Sequence, residues 1–261
     1  MRVTTLGDLL LDVVVGLDGP LVVGDDRPAL TRVGAGGQAA NVAAWVCALG
    51  GQARLVCSRG SDTAGELAAR EVALHGVDVV GPCGGRNGVV VSFAAAGDRT
   101  MASDPGVAGD LRPGDLDDSW FDCDVLHLSG YCLVREPIAD AAAAAARTAR
   151  RRGARVSVDL AAWTLIDDSF RDRVGAIAPD LVFANEQERR ALDDTAGDPT
   201  WIVKRGPHGV VVDGEAFEAR AATVVDTTGA GDAFAAGYFV GGPAVGLDAA
   251  ARCCARLGAM P

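Results

Sequence analysis

Between residues 124 and 160 the chain runs DVLHLSG, then a helix-forming stretch that holds six consecutive alanines (Ala141–Ala146), then RVSVDL. Two short apolar runs joined by a helix constrain the fold strongly, because parallel strands need a crossover of a dozen or more residues and bury both of their faces. The alternation continues in DLVFA (180–184), the helix-like NEQERRAL, WIVKRG and GVVVDG, and it precedes the alanine helix as well, in a first strand at 2–7, an alanine-rich helix ending near Leu49 and the strand ARLVCS. This rhythm predicts an α/β protein with a mostly parallel central sheet covered by helices on both sides. Ligands of such sheets gather at the carboxyl ends of the strands. Asp12, Gly36, Gly37, Asn185, Gly206 and the segment Gly229–Asp232 are expected on that edge.

Two stretches break the rhythm. Residues 13–33 contain short β-like pieces (Val13–Val15 and Leu21–Val23), and GVVVSFAAAG with RTMAS, from about 88 to 103, alternates with period two around a Gly-Asp turn. Together they are expected to form a small β-sheet lid over one domain spanning 1–261. No internal repeat or low-complexity linker divides the chain, and the alanine run reads as a packed helix face.

Composition removes several function classes. A net charge of -11, with no basic run interleaved with aromatics, argues against nucleic acid as a partner. No apolar run approaches the roughly 18–20 residues that span a bilayer, so no membrane partner is expected. The apolar start is interrupted by Asp8 and Asp12 and lacks a cleavage site. With seven cysteines and no CxxC spacing, it suggests reduced thiols and a cytoplasmic protein. The chain has a single lysine, Lys204, in KRGPHG. A Walker A loop and a protein kinase each need a lysine in a different setting, so neither architecture fits. His75, His127 and His208 lie far apart and outside any zinc-like spacing, and each reads as structural.

The segment DTTGAGDAF (Asp226–Phe234) follows an alternating apolar stretch (Phe217–Val225), precedes a run with helical spacing and a final helix expected from about Leu247 to Leu257, and sets Gly229, Gly231 and Asp232 at a helix N-terminus. Glycine lets backbone N–H groups approach an anion, and the first helical turn leaves such donors unpaired. A carboxylate there suits proton removal beside a held phosphoryl group, although Asp and Gly also serve as plain caps. The helix dipole is expected to lower the Asp232 pKa. Asp62 in GSDT reads as an N-cap. Gly34-Ala35-Gly36 with Ala39 spells GxGxxA, which raises a dinucleotide-binding oxidoreductase as a rival. Its preceding RPALTRV makes a poor buried strand, and no acidic residue follows about 20 residues later.

Four segments in fixed order, GGQAANVA (36–43), NEQE (185–188), KRGPHGV (204–210) and DTTGAGDAF, resemble the ribokinase-like family of carbohydrate kinases, also called the PfkB family. The resemblance covers essentially the whole chain and implies a ribokinase-like three-layer α/β/α sandwich. It implies that Asp232 is the general base and that the amides of Gly229, Ala230 and Gly231 form the anion hole. It implies that Asn185 and Glu188 organise Mg²⁺ through water, and that Lys204, Gly206, Gly209 and Thr228 lie along ATP. Adenine would pack near Ala249–Cys253, where the asparagine often found in the family is absent. Taken alone, NxxE is also a helix cap and KRGPHG a plain hairpin turn.

On the acceptor side the resemblance implies that Asp12 binds sugar hydroxyls, with Gly36, Gly37, Gln38 and Asn41 in the loop that closes over them. Gln38 and Leu10 stand where ribokinases proper carry lysine and asparagine, which argues against D-ribose itself. Arg99, in the second lid segment, is a candidate for an anionic group or a solvated hairpin arginine. The expected function is an ATP-dependent phosphotransferase acting on a hydroxyl of a small sugar or sugar derivative. A nucleoside kinase of the same family and a non-catalytic sugar or nucleotide sensor are the alternatives. A K⁺ requirement stays open, and a homodimer through the lid is a family possibility.

Overall fold

The computed structural model describes residues 1–20, 23–95, 98–193 and 196–261. In chain order the elements are β1 (Arg2–Leu6), β2 (Leu10–Leu17), β3 (Ala29–Gly36), α1 (Gln38–Ala48), β4 (Gln52–Val56), α2 (Thr63–Leu74), β5 (Asp78–Val80), β6 (Gly88–Ala95) and β7 (Asp98–Asp104). There follow β8 (Val125–Ser129), α3 (Ile138–Arg151), β9 (Arg155–Asp159), α4 (Asp168–Ile177), β10 (Leu181–Asn185), α5 (Glu186–Leu192), β11 (Thr200–Lys204), β12 (Val210–Val212), β13 (Glu215–Phe217) and α6 (Ala230–Cys254).

The central sheet has nine strands in the order β13-β12-β11-β10-β9-β8-β1-β4-β5. Every pairing from β11 to β5 is parallel, and only β12 and β13 run antiparallel at one edge. Because side chains alternate across a strand, each strand serves two cores. Val125, Leu181 and Phe183 enter one core with α1, α2 and α6. Leu126, Leu128, Val182 and Ala184 enter the other with α3, α4 and Leu192 of α5. The architecture is therefore a three-layer α/β/α sandwich, as the alternation predicts. In the alanine run, Ala141, Ala142, Ala145 and Ala146 are buried against the sheet, where the small side chain lets the helix pack closely.

The two irregular segments form a separate four-stranded sheet, β3-β2-β6-β7. Its β2–β6 pairing is parallel and joins the two segments across the chain. The strand before GxGxxA is thus β3, exposed over its first five residues and outside the parallel sheet, which removes the dinucleotide-binding geometry. The β-like piece expected at Leu21–Val23 lies in part outside the described residues, and Val23 is in an exposed turn.

Three local expectations are corrected. The stretch Phe217–Val225 is a strand only at its start, and Val224 and Val225 are exposed without regular structure. The last helix begins before Leu247: α6 breaks at Gly241–Gly242, whose backbone leaves helical geometry, and resumes at Pro243. Proline suits a first helical turn because its missing N–H has no partner there in any case. Asp12 lies inside β2 of the small sheet, not at the end of a central strand. Asp62 caps α2 through the Gly65 amide at 3.0 Å, as its sequence context predicts.

Candidate active site

Five neighbouring strands of the central sheet end on one edge. From β11 to β1 that edge presents Lys204, Asn185, Asp159, Ser129 and, just past Leu6, Asp8. The N-termini of α1 and α6, which pack on each other, point at the same edge. Between this edge and the small sheet lies a cavity of about 540 Å³. Asp8, Asp12, Gly37, Gln38, Asn41, Thr228, Gly229 and Asp232 line it.

Gly229 is the N-cap of α6 with φ 74°, and a Cβ there would stand 2.4 Å from that of Ala259, so glycine is required twice over. Asp226 holds the turn: its Oδ1 accepts from the Thr228 amide and hydroxyl at 2.9 and 2.6 Å, and its Oδ2 from the Gly258 amide at 2.9 Å. The Ala230 amide already donates to Thr227 O at 3.2 Å. Of the three amides expected to face an anion, those of Gly229 and Gly231 make no hydrogen bond among the described residues.

Asp232 follows in the first turn of α6, and Asn41 Nδ2 donates to its Oδ2 at 2.7 Å. Asn41 Oδ1 is buried without a partner among the described residues. The helix dipole is outweighed here. Burial pushes the Asp232 carboxyl up to about 8, Asn41 and Lys204 oppose the shift, and the Asp159 and Asp8 charges add to it. This reverses the expected lowering, because removing a carboxylate from water costs more than one helix terminus returns.

Lys204 Nζ lies 2.6 Å from Asp159 Oδ2 and 3.3 Å from where a Gly231 Cβ would stand. Burial works against its ammonium, but Asp159 and Glu188 together hold its pKa above the usual value. Asn185 and Glu188 form a reciprocal capping box on α5: Glu188 accepts from the Asn185 amide and Nδ2 at 2.7 Å each, and Asn185 Oδ1 accepts from the Gln187 and Glu188 amides. Burial raises the Glu188 pKa, with Lys204 opposing. The capping reading of NxxE holds, and neither Asn185 nor Glu188 lines the cavity.

On the acceptor side, a Cβ on Gly36 would stand 2.1 Å from Asp12 Cγ, so the bare backbone is what lets the Asp12 carboxylate lie against it. Gly37 has φ 100° and passes close to Asp8, whose Oδ2 accepts from the Gln38 amide at 3.1 Å. Gln38 Oε1 accepts from Ser129 Oγ at 2.7 Å and from the Gly130 amide at 3.2 Å, tying α1 to the loop after β8. Gly206 and Gly209 shape the β11–β12 hairpin, where a Gly209 Cβ would collide with Phe217 O. Neither lines the cavity. The Arg99 side chain lies outside the described residues. His127 is fully buried, pushed down to about 4 by burial with Asp159 opposing, and its Nδ1 pairs with Ser157 Oγ at 3.1 Å, which fits the structural role expected of it.

Sequence reasoning passed over Asp8, Asp159, Tyr131 and Arg135. The first two stand at the carboxyl ends of β1 and β9, and that position was the available signal. Tyr131 and Arg135 lie beyond β8 and join the cavity only through tertiary folding.

Comparison with known proteins agrees with this fold. Residues 3–259 match the model of the pfkB family of carbohydrate kinases. The chain belongs to that family, and it is an ATP-dependent carbohydrate kinase. It is similar to the ATP-dependent ribose-1-phosphate kinase of Halopiger xanaduensis, at 32% identity over 91% of this chain and 83% of the relative. It is also similar to the fructokinase of Escherichia coli, at 29% identity over 95% and 86% of the two chains. Among solved structures, adenosine kinase from Sinorhizobium meliloti superposes with a TM-score of 0.87 at 27% identity, covering 100% of this chain and 95% of that one. A ribokinase II from E. coli, crystallised with ATP and Mg²⁺, shares the fold at 24% identity and a TM-score of 0.80, covering 99% and 94%. Among the described residues no helix is long and apolar enough to cross a membrane.

Proposed function

We propose that this kinase transfers the terminal phosphoryl group of ATP to a hydroxyl of a small sugar or sugar derivative bound in the 540 Å³ cavity, with Asp232 as general base. One observation carries the reading: Asn41, in the first turn of α1, donates to Asp232 at 2.7 Å and keeps a buried carbonyl beside it that has no partner among the described residues. A substrate hydroxyl that donates to Asn41 Oδ1 or Asp232 fills that position. Asp12, Gly36, Gly37 and Gln38 bind the rest of the acceptor through a carboxylate and close backbone.

The amides at Gly229 and Gly231 receive the migrating phosphoryl group, Ala230 joining them once Thr227 releases it. Orientation matters more than base strength, since a loose phosphoryl-transfer transition state asks for the proton late. Its raised pKa nevertheless suits Asp232 to accept that proton near neutral pH. Lys204 adds positive charge at Gly231, and Thr228, Gly206, Gly209 and Asn185 border the nucleotide.

Among the described residues no cluster of three or more His, Cys, Asp or Glu side chains forms a metal cage. Mg²⁺ commonly keeps its waters and uses one or two carboxylates plus phosphate oxygens, so Glu188 with Asn185 fits it through water. When bound with ATP, the ion neutralises phosphate charge.

A second reading, a nucleoside acceptor, is favoured by Tyr131, which lines the cavity, is 44% exposed and offers a face for a base. ATP consumption measured with a panel of sugars, sugar acids, sugar phosphates and nucleosides separates the two. Turnover with no member above the ATPase background contradicts both and leaves the non-catalytic sensor. We further take the small sheet as the lid of a single domain over 1–261 that can pair with a second copy, and the cytoplasm, where its thiols stay reduced, as its compartment.

A further inference from the structure

We infer that the acceptor carries an anionic group, a phosphate or a carboxylate, and that Arg135 recognises it. This rests on the reading of the cavity as the acceptor site.

Among the described residues lining the cavity, Arg135 is the only cation, facing a lining that includes the carboxylates of Asp8, Asp12 and Asp232. A phosphate or carboxylate entering so acidic a space needs a compensating charge, and the planar guanidinium fork matches either group with two parallel hydrogen bonds. Arg135 has that charge to give. No ion pair includes it among the described residues, and the adjacent carboxylate is committed elsewhere. Glu136 Oε1 faces Arg173 Nη2 at 3.2 Å, and its Oε2 accepts from the Asp140 amide at 2.9 Å.

Arg135 is exposed, and its guanidinium lies beside Gly109. A Cβ on Gly109 would stand 2.5 Å from Arg135 Nη2 and 2.6 Å from Nε, and Gly109 itself is buried. Its φ lies outside the left-handed range, so glycine serves here for space: its bare Cα is the surface on which the arginine head rests.

The test is calorimetric binding of ribose and fructose, of their monophosphates including ribose 1-phosphate, and of the corresponding sugar acids. It is run on the wild type, Arg135→Gln, Arg135→Lys and Gly109→Ala. The wild type is expected to bind at least one anionic sugar about tenfold or more tighter than its neutral parent, as one charge-assisted fork allows. Arg135→Gln should remove most of that preference, Arg135→Lys part of it. Gly109→Ala, which pushes the head aside without deleting it, should act in the same direction and keeps the test valid if Arg135→Gln folds poorly. The phosphate and carboxylate arms identify the group.

Equal affinity for neutral and anionic sugars overturns the inference, as does binding of no sugar at all. A preference that survives Arg135→Gln and Gly109→Ala overturns it too and makes Arg135 a solvated rim residue. Anion binding through Arg135 without ATP consumption would leave the inference standing and sink the kinase mechanism, so the two failures are distinguishable.

Discussion

The ammonium of Lys204 stands 2.6 Å from Asp159 Oδ2, on a side chain only 1% exposed, and packs against the glycine corner at Gly231. A chain with a single lysine has placed it where a buried carboxylate needs a cation. The two partners are therefore unequal in what they tolerate. Lys204→Met leaves Asp159 charged and unpaired in the core and should cost about 3–5 kcal/mol, read as a fall in the urea midpoint. Adding Asp159→Leu should restore most of that stability without restoring turnover. Recovery of both would mean that the pair is purely structural.

Asp232 makes stability depend on pH in an unusual direction. Its folded pKa of about 8 lies above the ordinary 3.8, so the folded state holds the proton more tightly than the unfolded chain. The stability this provides is full below about pH 4 and is lost as pH rises toward 8, by up to about 1.4 kcal/mol per unit. Asp232→Asn cannot ionise and should lose this dependence, gaining on the wild type between pH 5 and 8. Parallel urea titrations would contradict the burial argument.

The same group shapes the rate. With ionised Asp232 as the active form, kcat/KM at low substrate should rise with pH and level off above about 8. A profile already flat at pH 6 would show that bound substrates, or another group, set the proton balance.

At Gly36 the prediction is steric. A methyl group there would stand 2.1 Å from Asp12 Cγ and force the carboxylate aside. Gly36→Ala should raise the acceptor KM about tenfold, the loss of one hydrogen bond to a charged group, and leave the KM for ATP within about twofold. Equal effects on both KM values would separate Asp12 from the acceptor.

Much of this was legible in the sequence for physical reasons. Strand and helix periods are local, so the alternation gives the layers, and glycine beside Asp232 marks a helix terminus that only certain residues can build. What stayed hidden depends on convergence. Asp8 and Asp159 look like ordinary strand-end carboxylates until five strands place them together, and Arg135 joins the cavity lining from beyond β8, its guanidinium beside Gly109. The sign of the Asp232 shift could not be read from its neighbours in sequence, because a local rule sees the helix dipole while burial is set by α1, β9 and β11 from far along the chain. The alternating apolar stretch Phe217–Val225 makes no strand beyond its start for a related reason: alternation alone does not supply an edge to pair with, and β13 ends the sheet at Phe217.

The central claim is that Asp232 takes the proton while the glycine corner holds the phosphoryl group. It is tested most directly by Asp232→Asn, with ATP affinity from calorimetry and kcat from ATP consumption on the best acceptor. The account predicts a fall in kcat of about 10²–10⁴-fold, the usual worth of a positioned base, with ATP affinity within about twofold of wild type. Wild-type turnover in this variant would contradict it.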